Sequence, residues 1–217
     1  MAVQKLTLPV LISSKQIEFQ LEREDIRKLM ERIPLLAVDL AADWAPQARP
    51  ILDQSVRQAR ACAIYVGFYG CIYSEPTVQE YRAARENRYR EILIYVKDCP
   101  GSRDAQLTAF LKELTDPTAG HTVLTYSDWS KVRQHFTGHL WEAIGRMTTL
   151  ALRLGDPPAA MGDDAAILEQ RWALEREDLL DLGLPDDPDR ARALAQLIET
   201  QRPKQQSGFW GNLFRSF

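Results

Sequence analysis

The chain lacks a long apolar run. No stretch of its 217 residues approaches the roughly 20 consecutive apolar residues needed to span a bilayer. Its first residues do not follow the basic-then-apolar layout of a secretion signal. With 45% hydrophobic and 26% charged residues, the chain can bury the core of one ordinary domain and carry an appendage. We therefore expect a cytoplasmic protein without a transmembrane segment.

An excess of positive charge is also missing. The formal net charge is -3 and the isoelectric point is about 5.7, whereas a general nucleic-acid binder needs a basic face that neutralises phosphates. We expect no nucleic-acid partner. A local concentration of arginines, which we interpret as a solvated helix face, lies on one predicted helix and at its exit: Arg82, Arg85, Arg88 and Arg90.

Cysteine is scarce. Cys62, Cys71 and Cys99 are odd in number and lack the close paired spacing of a zinc site. We predict three reduced thiols, with Cys62 as a small core residue.

Recognised cofactor and phosphate motifs are absent too. The sequence contains no Walker loop, no Gly-x-Gly-x-x-Gly and no Gly-x-Ser-x-Gly. His135, His139 and Glu142 have helical i, i+4, i+7 spacing, but the order His-Glu-x-x-His is missing. We interpret these three residues as a solvated or partly packed helix face. We expect no metal and no bound cofactor.

What the sequence does contain is a regular alternation of strand and helix patterns. The predicted strands are Pro9 to Ser13, Leu35 to Ala41, Ala61 to Val66, Glu91 to Val96 and Thr122 to Tyr126. The predicted helices are Gln16 to Ile33, Ile51 to Arg60, Thr77 to Asn87 and Arg103 to Leu114, followed by one long helix or two over Asp128 to Leu154. The short connections allow only βα units. The pattern therefore predicts a doubly wound, parallel, five-stranded α/β sheet.

The composition changes after this α/β domain, which we assign to residues 1–154. Residues 155–165 are a Pro-, Gly- and Asp-rich linker, and residues 166–201 read as a helical extension. Its two helices, Ala166 to Leu182 and Pro188 to Gln201, carry few large apolar residues. We expect them to pack on the first domain or on a partner.

Residues 202–217 read as a flexible tether that ends in an aromatic tail. If the tail were helical, five side chains would form one apolar stripe: Phe209, Trp210, Leu213, Phe214 and Phe217. Such a tail is typical of a peptide that docks into a partner's groove or folds back onto its own domain. A weak membrane contact is less favoured, because Arg215 is the tail's one basic residue.

The stretch from Ala61 to Arg85 carries the main functional prediction. It reads as a buried strand that breaks at Gly67, an aromatic loop, and a helix that begins at Thr77 with Glu80 in its first turn. The loop would lie at the carboxyl end of a strand, where open α/β sheets bind ligands. Glu80 has a structural alternative, because Thr77 to Glu80 also fits a capping box.

Two segments resemble a known family. The sequence SSKQIEFQLER has Ser13, Ser14, Glu18, Glu22 and Arg23 at the spacing of the opening signature of the TIR-like domain-of-unknown-function 4062 family, Ser-Ser-Thr-x-x-Asp-Leu-x-x-Glu-Arg. Lys15 replaces the usual Thr, and Glu18 replaces Asp. The second segment, IYVGFYGCIYSEPTVQEYRAA, is similar to a later family segment; its matching residues are Tyr65, Gly67, Thr77, Glu80, Tyr81 and Ala84. The resemblance spans about Pro9 to Ile144.

The resemblance implies a flavodoxin-like relative of TIR domains and of nucleoside deoxyribosyltransferases. In active members of that wider group, a glutamate opening this same helix cleaves N-glycosidic bonds, and TIR enzymes act on NAD. Many relatives serve bacterial antiphage defence. On this basis Glu80 would be catalytic, because a carboxylate can stabilise or trap an oxocarbenium-like transition state.

Four further residues are candidates for substrate binding. Ser13 or Ser14 could hold ribose hydroxyls or phosphate, and Tyr69 or Trp44 could stack on a base. The structural alternatives are helix capping for the two serines and covering of a core edge for Trp44. For Glu22 and Arg23 we favour a surface or structural ion pair over a catalytic role.

Two functions stay open on the sequence alone. The first is an NAD-cleaving glycosidase of a bacterial defence or signalling system, activated by assembly into a homo-oligomer or with a partner protein. The second is a catalytically silent interaction module that recruits a partner through its aromatic tail. A cleft open to solvent around Glu80, Ser13 and Tyr69 would favour the enzyme, and a filled cleft would favour the module.

Overall fold

The structure is a computed structural model that describes residues 7–33, 35–39, 51–118, 120–155, 176–182, 184 and 187–201. Its strands are β1 Leu8–Ser14, β2 Leu36–Asp39, β3 Ile64–Tyr69, β4 Glu91–Lys97 and β5 Val123–Tyr126. Its helices are α1 Gln20–Met30, α2 Ile51–Ala61, α3 Glu75–Ala84, α4 Ala105–Leu114, α5 Trp129–Gly155 and α6 Pro188–Gln201. Among these residues, no helix combines the length and apolar character needed to cross a membrane.

The five strands form one parallel sheet in the order β2-β1-β3-β4-β5. This is the flavodoxin-like order of a doubly wound α/β fold, and it confirms the predicted fold class. Strand β3 lies at the centre and is buried along its whole length. A strand that is covered on both faces has to be apolar throughout, which is why the sequence IYVGFY shows no alternation.

Helices cover both faces of the sheet. One apolar cluster joins β-strand residues to α1, α5 and α6, and the other joins the opposite strand faces to α2, α3 and α4. Successive residues of β1 therefore point to different layers. Ser13 shares a face with Leu11, which packs in the cluster of α2 to α4, whereas Ser14 faces α1.

The sequence predicted that strand β3 breaks at Gly67, and this prediction was wrong. Gly67 pairs with Ser13 of β1 and Ile94 of β4 and lies inside the strand. The residue is glycine because a Cβ there would lie 2.8 Å from a ring carbon of Tyr65 and 3.1 Å from one of Tyr69. The absent side chain makes room for two tyrosine rings on one face of the sheet.

We expect Gly67→Ala to lower the free energy of unfolding by about 1–3 kcal/mol, because the added methyl group overpacks this face. The matched control is Gly101→Ala, since no atom lies within 4 Å of a Cβ at that position. Urea unfolding followed by circular dichroism measures both. Equal midpoints for the two variants would contradict this explanation of Gly67.

The described part of the helical extension packs on the α/β domain. Leu179, Leu182 and Leu184 lie in the same apolar cluster as α5. Helix α6 contributes Ala191, Leu194 and Ile198 to that cluster. Of the two alternatives from the sequence, packing on the first domain is the one that the structure shows.

The arginine group is not a uniform solvated face. Arg82 and Arg85 contact Glu113, and Arg88 contacts Asp178, at 3.6 to 3.9 Å. Arg90 is buried with 7% exposure and donates to backbone carbonyls of Arg60, Cys62, Ala83 and Ala84. The prediction was wrong for Arg90, because its guanidinium satisfies carbonyls at the ends of two helices, α2 and α3.

The prediction of three reduced thiols was also wrong. Cys71 and Cys99 form a disulfide with their Cα atoms 5.5 Å apart, while Cys62 is buried in the core as predicted. Cys71 follows β3 and Cys99 follows β4. Neighbouring parallel strands deliver both residues to the same edge of the sheet, although 28 positions separate them in sequence.

Candidate functional site

The candidate site lies where the carboxyl ends of β1 and β3 meet α3. The Ser13 hydroxyl, near the end of β1, donates a hydrogen bond to the Glu80 carboxylate of α3. Ser13 is 1% exposed and Glu80 is 9% exposed, so the contact is buried. The structure thus brings together two of the residues that the sequence singled out, across 67 positions of chain.

A second hydroxyl reaches Glu80 from α2. Ser55 is buried, and its hydroxyl donates to the Leu52 carbonyl at 3.0 Å. The Ser55 hydroxyl and the charge of Arg23 both act on the Glu80 carboxylate and lower its pKa. Burial raises the pKa of Glu80 above its ordinary value, and the hydroxyls of Ser13 and Ser55 and the Arg23 charge only partly oppose this. The protein therefore disfavours the charged form of a carboxylate that it holds in a fixed position. This combination is typical of functional sites.

The capping-box alternative for Glu80 is wrong. Helix α3 begins at Glu75, with Ser74 as its N-cap and Pro76 in the first turn. The Thr77 hydroxyl donates to the Ser74 hydroxyl at 2.9 Å, and Glu80 lies in the second turn. The sequence placed the helix start two residues too late, so Thr77 was assigned the role that belongs to Ser74.

Two tyrosines share the face of the sheet that carries Ser13. The Tyr65 hydroxyl lies 3.1 Å from the Tyr69 hydroxyl and 3.4 Å from the Thr77 carbonyl. Tyr69 is only 3% exposed, and its ring centroid lies 5.2 Å from that of Phe110 in the core. Because the ring is packed in the core and leaves no exposed face for a ligand, the prediction that Tyr69 stacks on a base was wrong.

Ser14 does not join Glu80, because it faces the opposite layer of the sheet. Its hydroxyl accepts a hydrogen bond from Arg23 Nη1 at 2.8 Å. The helix-capping alternative fails for both serines, since the N-cap of α1 is Phe19 and makes no side-chain cap bond. The neighbouring Glu22 is buried and pairs with Lys97 at 2.7 Å.

The loop between β3 and α3 is anchored by Glu18. Its carboxylate accepts hydrogen bonds from the backbone N–H groups of Cys71 at 2.5 Å and Ile72 at 3.4 Å. Gly70 lies against this carboxylate, and a Cβ at Gly70 would collide with it. Glu18 thus links the β1–α1 connection to the loop that leads into the Glu80 helix.

Three more bonds fix the same loop. Arg103 Nε donates to the Gly70 carbonyl at 2.9 Å, and the Asp104 N–H donates to the Cys71 carbonyl at 3.0 Å. Lys15 Nζ donates to the Tyr73 carbonyl at 3.0 Å. Segments that follow two different strands, β1 and β4, therefore determine how the chain enters α3.

A family model for the domain of unknown function DUF4062 matches residues 9–141. The chain belongs to the DUF4062 family. That stretch contains the Ser13–Glu80 contact and all five strands except the first residue of β1. No curated protein matches the chain.

In this DUF4062 domain, removal of the Glu18 anchor should loosen the loop without unfolding the sheet. We expect Glu18→Ala to speed amide hydrogen exchange at Cys71 and Ile72 by about tenfold, the effect of losing a charge-assisted bond of about 1.4 kcal/mol. The control is Glu31→Ala at the exposed end of α1. Unchanged exchange at the two amides would rule out the anchor role.

Several predicted residues lie outside the described part of the DUF4062 chain. Trp44 is one, and the others are the tail residues Phe209, Trp210, Leu213, Phe214 and Phe217. The predicted helix face with His135 and His139 is described: His139 Nδ1 lies 3.0 Å from the Tyr95 hydroxyl, and burial lowers the pKa of His139. In the described segments, no group of three His, Cys, Asp or Glu residues could hold a metal ion.

Ser55 and the roles of Glu18 and Arg23 in the site were not predicted from the sequence. Glu18 and Arg23 stood in the family signature, but nothing in that signature showed which groups they bind. The sequence pattern indicates Ser55 only weakly: it lies four positions before Ala59, on the buried face of α2. A small polar residue on an apolar helix face can be recognised as functional only when the residue opposite it is known.

Proposed function

We propose that this DUF4062 domain is a TIR-like N-glycosidase that cleaves the nicotinamide–ribose bond of NAD in a bacterial defence or signalling system. The observation that carries the proposal is the Ser13–Glu80 pair at the carboxyl end of the central strands. The flavodoxin-like strand order and the resemblance of the Ser13 and Glu80 segments to TIR-like domains support the relationship.

Glu80 would act on the ribose. As the bond from C1′ to the nicotinamide nitrogen breaks, its electron pair goes to the nitrogen and positive charge develops on the ribose ring. A carboxylate beside the ring stabilises this charge, and it does so more strongly where water is excluded. Water then adds to C1′ and loses a proton, which leaves ADP-ribose and free nicotinamide.

The groups around Glu80 favour NAD over an ordinary nucleoside. Nicotinamide leaves as a neutral molecule and needs no proton, whereas the base of a nucleoside leaves well only when an acid protonates it. The groups that lower the pKa of Glu80 are the hydroxyls of Ser13 and Ser55 and the Arg23 charge, and none of these is an acid that would protonate a leaving base. Burial raises the pKa of Tyr65 and Tyr69, which makes both poor acids.

The experiment that tests this function is a product assay with the full chain. We expect nicotinamide and ADP-ribose to form from NAD, while adenosine and deoxyadenosine stay intact. The rate per molecule should rise with protein concentration if activity requires assembly into a homo-oligomer. Cleavage of the nucleosides without cleavage of NAD would contradict the assigned substrate and favour a nucleoside-transferase reaction.

A second candidate is a catalytically silent interaction module that recruits a partner protein through its aromatic tail. The burial of Ser13, Tyr69 and Glu80 favours it, because a filled cleft suits binding better than catalysis. Under this alternative, folded protein at every concentration would leave NAD intact, with or without residues 209–217.

A further inference from the structure

Cys71 makes three contacts that hold the loop between β3 and α3, the helix that carries Glu80. Its Sγ is bonded to Cys99, its N–H donates to Glu18, and its carbonyl accepts from the Asp104 N–H. Three residues further along the chain is Ser74, the N-cap of α3. A change at the Cys71 side chain therefore acts on the loop at the point where its other bonds converge.

We propose that thiol–disulfide exchange at the Cys71–Cys99 bridge regulates the Glu80 site. The effect on turnover rests on the proposed NAD reaction, whereas the effect on the loop stands without it. The oxidised chain holds the loop in the position described above. The reduced chain keeps only the noncovalent bonds of this loop, and the loop opens more often.

The bridge is placed for exchange with a reductant in solution. Cys71 and Cys99 are both partly exposed, so a small dithiol or a thiol–disulfide oxidoreductase can reach them. Their Cα separation of 5.5 Å lies in the usual range for disulfides, so the bridge can re-form without a large backbone movement. Cys62 takes no part, because it is 2% exposed in the core.

The exchange balances with a dithiol as co-reactant. A thiolate of the dithiol attacks one bridge sulfur, the Cys71–Cys99 bond breaks, and a mixed disulfide forms. The second thiol of the reagent then displaces the protein sulfur and closes a cyclic disulfide. Two electrons and two protons pass from the dithiol to the protein, and a disulfide reagent reverses the reaction.

The disulfide bridge restrains the loop covalently, which hydrogen bonds cannot do. It ties the chain after β3 covalently to the chain after β4, so the loop cannot separate from that segment while the bridge is intact. Without it, the bonds from Glu18, Arg103 and Asp104 can break one at a time. Substrate binding should weaken first, so KM should rise more than kcat falls.

The test compares the oxidised and dithiothreitol-reduced full chain by hydrogen exchange, thiol alkylation with mass spectrometry, and NAD turnover. When the oxidised chain is unfolded without a reductant, we expect the reagent to alkylate Cys62 but neither Cys71 nor Cys99. Reduction should speed exchange in residues 70–76 by about tenfold and leave the β1 peptide unchanged. Cys99→Ser should behave as the reduced chain in every buffer, and Cys62→Ser should respond to dithiothreitol as the wild type does.

The outcomes separate the two proposals. Alkylation of all three cysteines under oxidising conditions, or equal loop exchange in both states, would overturn the switch. Redox-dependent exchange with NAD turnover that is the same in both states would overturn its regulation of the site. Redox-dependent exchange with no NAD turnover in either state would overturn the proposed NAD reaction and leave the loop switch standing.

Discussion

Replacement of Arg90 by Met should lower the free energy of unfolding by about 3–5 kcal/mol, because several buried carbonyls lose their hydrogen bonds to a charged group at once. Arg90 Nε donates to the Cys62 carbonyl at 2.6 Å, and the two terminal nitrogens donate to carbonyls of Arg60, Ala83 and Ala84. Methionine fills much of the same volume but offers no donor. The variant therefore leaves buried carbonyls at the ends of α2 and α3 without this partner.

The position of these carbonyls makes the loss severe. They lie at helix C-termini, where the partial negative charge of the helix favours a cation. Arg90 binds carbonyls of two helices at once. One of its partners, Cys62, lies in the short segment between α2 and β3. Arg90→Lys should recover only part of the stability, because one ammonium group cannot reach carbonyls on several sides as a planar guanidinium does.

The matched control is Arg88→Met. Arg88 lies two residues away with a side chain that is 61% exposed and contacts Asp178 at 3.9 Å. Surface ion pairs of this kind contribute little, so the free energy of unfolding should change by less than about 1 kcal/mol. Urea unfolding followed by far-ultraviolet circular dichroism measures both variants. Equal destabilisation by the two substitutions would contradict the role of Arg90.

Replacement of Glu80 by Gln should stabilise the protein at neutral pH, by about 1 kcal/mol. Burial raises the pKa of Glu80 above its ordinary value of 4.5 in the folded chain. As the pH rises, the unfolded chain therefore loses this proton first. The contribution of Glu80 to the free energy of unfolding is fully present at a pH below its pKa in the unfolded chain. This contribution is lost as the pH rises through its pKa in the folded chain. Glutamine stays neutral and still accepts a hydrogen bond from Ser13.

The gain from Glu80→Gln should therefore depend on pH. It should be largest at neutral pH and disappear below about pH 4, where Glu80 is protonated in both states. Glu75→Gln is the control on the same helix. Hydrogen bonds from Gln79 and Tyr73 lower the pKa of Glu75, so the wild-type carboxylate favours folding as the pH rises. Glu75→Gln should thus show the opposite sign of pH dependence. A Glu80→Gln variant that is less stable than the wild type at neutral pH would contradict the electrostatic description of the site.

The order of strands and helices could be predicted because each element carries a local pattern. The apolar run of β4 and the periodicity of α5 depend on neighbours a few positions apart, and both elements were found within two residues of their bounds. The predicted break at Gly67 was wrong, although glycine often ends a strand. Here a tertiary reason outweighs that preference, since two tyrosine rings occupy the space beside it.

The candidate site was only partly predictable for the same reason. Glu80 and Ser13 were found through a family signature, but their contact spans 67 positions and has no local pattern. The pairing of Cys71 with Cys99 and the burial of Arg90 also depend on which strands become neighbours. Ser14 shows the limit most clearly: it is adjacent to Ser13 in sequence, yet the pleat of β1 turns it toward Arg23 on the other face.

The measurement that tests the central claim most directly is nicotinamide release from NAD by the wild type, Glu80→Gln and Glu75→Gln at equal folded fraction. We predict that the wild type and Glu75→Gln release nicotinamide at similar rates. Glu80→Gln should lose about 10³-fold or more in rate, the effect of removing a group that stabilises transition-state charge, while it unfolds at no lower urea concentration than the wild type. Release by Glu80→Gln at the wild-type rate would contradict the assignment of Glu80 as the catalytic carboxylate.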